Sequence, residues 1–127
     1  MPHSAKLFMV LGALNAFLSV LFGAFGAHAL KTRLSVEMMS VYHTGNQYHF
    51  YHALGLLLVG VIATQLPESA LLRSSGWLMQ AGIVLFSGSL YVLAISGVRW
   101  LGAITPIGGL AFLTAWLLLA MAVWRSA

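Results

Sequence analysis

The chain has 127 residues, 61% of them hydrophobic and 6% charged, with a mean hydropathy of +0.94. Soluble domains carry about a quarter charged residues, so this composition excludes an ordinary soluble domain and predicts membrane-spanning helices, which close their backbone hydrogen bonds within each segment. The formal charge of +4 comes from six scattered cations without a basic run, the pattern of helix-end anchors near lipid headgroups rather than of a nucleic-acid footprint, and zero cysteines exclude disulfides, thiol nucleophiles and thiolate metal sites.

Four apolar stretches follow one another at Leu7–Ala29, Gly45–Gln65, Gly76–Ser96 and Gly102–Val123. A helical span needs about 20 residues, so four spans use most of the chain and make residues 1–127 a single membrane domain. The predicted fold is an all-α integral membrane protein, an antiparallel up-down four-helix transmembrane bundle. The first stretch starts after Lys6 and ends near Ala27-His28-Ala29, which imitates a secretory cleavage site. Its apolar run outlasts the h-region of a signal peptide, so an uncleaved first span is expected. Asn15, Ser19, Gly23 and Ala27 recur every four residues and predict a small, polar-tinged face for close helix packing.

Ser35, ahead of Val36-Glu37-Met38-Met39, predicts the cap of a short interfacial helix between spans one and two. In the second span the purely apolar part, Ala53–Thr64, is too short to cross, which draws Gln47, His49 and His52 below the headgroups. Gln80, Ser87 and Tyr91, seven and four residues apart, share one face of the third span, with Gln80 nearer its start. Thr105-Pro106 suits the first turn of the fourth span, where a proline forfeits no intrahelical bond, and Gly108-Gly109 permits close packing. Lys6, Arg73 and Arg125 fall on the side of the termini and Lys31, Arg33 and Arg99 on the other. Three against three gives the positive-inside rule little purchase, and only the N-terminal amine favours termini inside. The same balance admits dual insertion as antiparallel dimers.

Four groups of residues then stand at the ends that share one leaflet: Gly23-Ala24-Phe25-Gly26-Ala27-His28, Thr44-Gly45 with Tyr48 and His52, Ser87-Gly88-Ser89-Leu90-Tyr91, and Thr105-Pro106-Ile107-Gly108-Gly109. In these motifs, in this order, the chain resembles the YgdD-like family of small bacterial inner-membrane proteins with mitochondrial eukaryotic relatives. The resemblance covers nearly the whole chain. It implies a four-span, multi-pass protein of the bacterial inner (cell) membrane with cytoplasmic termini, and it brings no established activity, substrate or cofactor. His49 is peripheral to the family pattern, since another polar residue can stand there.

The chemistry these residues offer is limited. There is no aspartate, and Glu37 and Glu68 lie outside the spans, which excludes paired-carboxylate mechanisms. Ser87 or Ser89 beside His28 or His52 would imitate a nucleophile–base pair but lacks an orienting acid. Imidazoles suit copper, zinc or haem iron, so His28, His52 and His49 would be the ligands of any metal, with Met38 and Met39 able to add soft ligands for Cu(I); the alternative for each histidine is an interhelical hydrogen bond or interfacial water. His3 and His43 read as solvated, and Tyr42, Tyr48 and Tyr51 as an interfacial aromatic belt. No phosphate-binding loop or base-reading module occurs.

The reading that fits best is a non-enzymatic binding or assembly protein. Its polar site, in the leaflet opposite the termini, comprises His28, Tyr48, His52, Ser87, Tyr91, Thr105 and Pro106, with Asn15 deeper. Ser19, Gly23, Gly26, Gly108 and Gly109 serve helix packing. No cofactor is required by the sequence. The expected partners are the lipid bilayer and a second copy or another membrane protein, with no nucleic acid. A metal- or haem-binding redox protein, and a small transporter or channel relaying protons through histidine, are the two alternatives.

Overall fold

Proline, which cannot occupy a helix interior without breaking it, stands only at the edges of this fold. Pro2 precedes the first helix, Pro67 lies in a loop and Pro106 sits in the first turn of the last helix. In a computed structural model describing Met1–Ala127, the segments between them are helical and no strand occurs. Helix α1 (His3–Phe25) closes in a π-helical turn at Gly26–Leu30, and α2 runs over Val36–Ala63. The third rod comprises α3 (Ala70–Gly82), a π-helical segment (Ile83–Ser87) and α4 (Gly88–Ser96) without a break; a 3₁₀ turn at Arg99–Ala103 leads into α5 (Thr105–Trp124).

Local chemistry sets these borders. The Ser35 and Ser69 hydroxyls accept the amides of Met38 and Leu72 at 3.1 and 3.2 Å, capping α2 and α3. Gly97, at φ 72°, takes the left-handed conformation that ends α4 and donates its amide to Leu93.

Residue pairs along the seams fix the direction of each rod. Gly60 lies on Ala5 and Met9, Gly12 on Ala53 and Leu57, and Ser19 on Asn46, so α1 and α2 are antiparallel. Gly55 faces Met79 and Gly45 faces Ser87 and Leu90, so the third rod runs against α2. Ser75 bonds Ala115 and Gly82 lies under Phe112, so α5 runs against α3. The rods therefore alternate, with both termini at one end. The seams are close because glycine lacks a side chain: a Cβ at Gly12 would lie 2.7 Å from the Leu57 amide nitrogen and 2.8 Å from the Ala53 carbonyl oxygen.

Large apolar side chains cover the outer surface, while a few polar ones are buried beside an apolar core. Leu113 and Leu117 are 65% and 66% exposed, whereas Asn15 and His49 are 7% and 3% exposed. The interior is layered. Phe8, Leu56, Val59, Leu72 and Met79 form an apolar core in the half near the termini, a polar layer follows, and Leu30, Tyr42 and Ala94 cluster at the far end.

Three segments, His3–Leu30, Ala70–Ser96 and Arg99–Trp124, are long and apolar enough to cross a membrane. The second expected span falls outside that set because the first half of α2 carries His43, Thr44, Asn46, Gln47, His49 and His52. The expected interfacial helix is also corrected. Ser35 caps as anticipated, but the helix it starts continues through Thr44-Gly45 into the second apolar stretch, because Tyr42 and Gly45 are buried against neighbouring helices and the Thr44 hydroxyl back-bonds to the Ser40 carbonyl. The helix of the third apolar stretch likewise begins earlier than Gly76, at Ala70, where Ser69 provides the cap.

Candidate functional site

The polar layer is one connected chain across α1, α2, α3 and α4. The Asn15 side-chain amide donates to the Leu11 carbonyl at 2.9 Å and to Gln80 Oε1 at 2.8 Å. Its Oδ1 faces His49 Nε2 at 3.0 Å, and His49 Nδ1 faces the Tyr91 hydroxyl at 2.9 Å. Asn46 donates to Tyr91 at 3.1 Å and to the Ser19 carbonyl at 2.8 Å, and the Ser19 hydroxyl returns a bond to the Asn46 carbonyl at 3.3 Å.

Two backbone carbonyls dictate where every proton in this chain sits. A carbonyl only accepts, so Leu11 orients the Asn15 amide and Ser19 orients that of Asn46. Asn15 Oδ1 is then left to accept from His49, whose Nε2 carries the hydrogen. Tyr91 already accepts from Asn46 and donates to the bare Nδ1. Every buried polar atom of the chain finds a partner when His49 is the neutral Nε2–H tautomer.

His52, one turn on, is held in the opposite tautomer. Its Nδ1 lies 2.7 Å from the Tyr48 carbonyl and must donate, while its Nε2 accepts the Trp116 indole N–H at 3.0 Å. The ring stacks on Phe112 at a centroid distance of 3.5 Å. His52 and Trp116 thereby form part of the wall of a lateral groove of about 600 Å³ between α2 and α5, with Tyr48, Phe86, Pro106 and Gly109 around it. Tyr48 is 39% exposed, and its phenol makes no hydrogen bond within the protein.

The expected site residues are thus distributed among several places. Asn15 and Tyr91 join the buried chain, while Tyr48, His52 and Pro106 line the groove. Thr105 donates to Ser89 Oγ at 2.7 Å, because the single Ser89 proton goes to the Phe86 carbonyl, and the pair ties α4 to α5. Ser87 is fully buried on the seam against Gly45, and its hydroxyl has no partner.

His28 is corrected: it is exposed on the π-helical turn that ends α1 and forms no bond with His52, because the turn carries its side chain outward while Gly26 takes the place beneath Tyr42. His49, peripheral to the family pattern, lies at the centre of the polar chain in this structure. Gln80 is corrected too, since the early start of α3 brings it level with Asn15. Tyr42 leaves the expected belt and is buried, donating to the Phe22 carbonyl at 2.6 Å.

Among the packing residues, Ser19, Gly23, Gly26 and Gly108 sit on helix seams, whereas a Cβ at Gly109 would meet only ordinary contacts at 3.9 Å. Asn46 and Trp116 went unread in the sequence. Asn46 precedes His49 by one helical turn, and Trp116 stands inside the last apolar stretch, away from the interfacial position where tryptophan normally lies.

The arrangement offers little to a metal or a nucleophile. In each buried histidine the lone-pair nitrogen already accepts a hydrogen bond, from Tyr91 or from Trp116. No three histidine or carboxylate side chains converge as a ligand set, and no serine hydroxyl bonds a histidine.

Long apolar rods, lipophilic side chains outside and a satisfied polar layer within are the marks of a helical membrane protein. The family described as "Protein of unknown function (DUF423)" matches residues 22–109, and the chain belongs to it. The chain is 51% identical over 117 residues to the UPF0382 membrane protein YwdK of Bacillus subtilis (strain 168), covering 92% of this chain and 95% of that one. It is 50% identical over 122 residues to a UPF0382 membrane protein of Staphylococcus epidermidis (strain ATCC 12228), covering 96% and 98%. The UPF0382 membrane protein SSP2132 of Staphylococcus saprophyticus is 48% identical over 120 residues, covering 94% and 98%. No solved structure matches the chain. The resemblance read from the sequence holds at the level of a small uncharacterised membrane-protein family; the YgdD-like label is a finer assignment that stays with the resemblance.

Proposed function

We propose that this is a four-span protein of the bacterial inner membrane that works as a non-enzymatic assembly element, pairing with a second copy through the α2–α5 groove. The observation that carries this reading is the contrast between the two polar features. In the buried polar chain both His49 ring nitrogens are taken by hydrogen bonds within the protein, so neither is free for a ligand. The groove is open to the side, aromatic-walled and bordered by the unbonded Tyr48 phenol. Beside it, Ile107 and Leu117 on the same helix are exposed, so the groove opens onto an apolar surface that a second copy would cover.

The fourth crossing, by α2, rests on where its polar groups point. His49 and His52 are spent on neighbouring helices, so they add little polarity to the outer surface of this helix. The rods alternate and both termini share one end, which agrees with cytoplasmic termini in an even-span protein.

A photo-crosslinking amino acid at Leu113, in the groove, tests the assembly. It is expected to give an adduct of twice the 13.6 kDa chain, while the same residue at Val92, on an outward face of α4, gives none. Lipid adducts alone at both positions would overturn the proposal.

A further inference from the structure

At the end away from the termini, an open depression of about 560 Å³ lies between the first half of α2 and the loop that leads into it, lined by Lys31, Ser40, His43, Thr44 and Gln47 beside Leu34, Val36 and Met39. The Thr44 hydroxyl is spent on the Ser40 carbonyl. The Lys31, Ser40, His43 and Gln47 side chains make no hydrogen bond within the protein, so four donors line one opening unmatched. Gln47 also lines a second depression of about 310 Å³, on the α1–α2 seam among Ser19, Val20, Gly23, Asn46, Phe50 and Tyr51. Gln47 thus borders both the polar mouth and a depression walled in part by Val20, Phe50 and Tyr51.

Charge at this end points the same way. Its cations are Lys31, Arg33 and Arg99, and its only carboxylate, Glu37, lies 3.5 Å from Arg99. Lys31 and Arg33 are left without an acidic partner. We infer that the α1–α2 seam binds an anionic glycerophospholipid, its phosphate held at the mouth by Lys31, His43, Ser40 and Gln47 and an acyl chain lying along Val20, Phe50 and Tyr51. The headgroup chemistry requires an anion, and the adjoining apolar depression requires that the anion carry a chain.

Each basic residue near an anionic headgroup contributes about fivefold in affinity. The test is native mass spectrometry of the purified full chain titrated with phosphatidylglycerol or with phosphatidylcholine. Wild type is expected to retain phosphatidylglycerol preferentially, Lys31→Gln to lose about fivefold of that preference, and Lys31→Gln with Gln47→Ala to lose more. Arg125→Gln, at the opposite end, is expected to leave it unchanged. Lys31 is exposed, so these variants fold, and an unchanged thermal transition checks it. Equal retention of the two lipids, or an unchanged preference in Lys31→Gln, would overturn the inference. So would displacement of phosphatidylglycerol by an equal concentration of inorganic phosphate, which would make the site one for a soluble anion.

Discussion

Asn15 and His49 show how a polar residue is kept in lipid. Each would cost several kcal/mol if left unsatisfied there, and each is neutralised by a partner on another helix. Replacing His49 by alanine leaves Asn15 Oδ1 without its donor and the Tyr91 hydroxyl proton without its acceptor, and opens a cavity. The expected loss is about 2–4 kcal/mol, read from unfolding in graded detergent mixtures. His49→Gln retains a donor and an acceptor at the same reach and is expected to lose under about 1 kcal/mol; equal losses in the two variants would contradict the bonding described. The polar residues themselves were legible in the sequence. Their pairing was not, because pairing depends on rotation and register between helices. Gln80 was misplaced for that reason, and His28 was overvalued because the π-helical turn that ends α1 cannot be read from composition.

The helices divide into borders set by local chemistry and seams set by size. Ser35 and Pro106 mark their borders in the sequence as in the structure, whereas the Ser69 cap and the continuity of α2 through Gly45, which follows from packing on α1 and α4, emerge only in the structure. The seams separate two adjacent glycines that look alike in sequence. A Cβ at Gly108 would strike the Phe86 backbone and lie 2.8 Å from the Leu85 carbonyl carbon, while one at Gly109 stands free. Gly108→Ala is therefore expected to cost about 1–3 kcal/mol and Gly109→Ala no more than about 0.5 kcal/mol, in the same unfolding measurement. Trp116→Phe keeps the groove wall but removes the only donor to His52 Nε2, and a loss of about 1–2 kcal/mol is expected. A stability equal to wild type would show that the indole bond is not made.

For the molecule as a whole, the layers assign a role to each region: an apolar core near the termini, a closed polar layer, and an outer surface with one aromatic groove. The absence of native cysteine makes its topology directly measurable. Cysteines at Glu68 and Ser126 are expected to be labelled from one side of the membrane, and cysteines at Val36 and Val98 from the other. Labelling of all four from both sides would show dual insertion instead. The assembly and lipid-binding proposals both presuppose that the buried histidines are internal fastenings with no coordination free for a ligand. The most direct test is ¹⁵N solid-state NMR of the imidazole rings in lipid bilayers. The account predicts two neutral buried rings in opposite tautomers, His49 protonated at Nε2 and His52 at Nδ1, with the His49 signal shifted in Asn15→Leu and the His52 signal in Trp116→Phe. Two rings in the same tautomer, or either one bound to a metal, would contradict it.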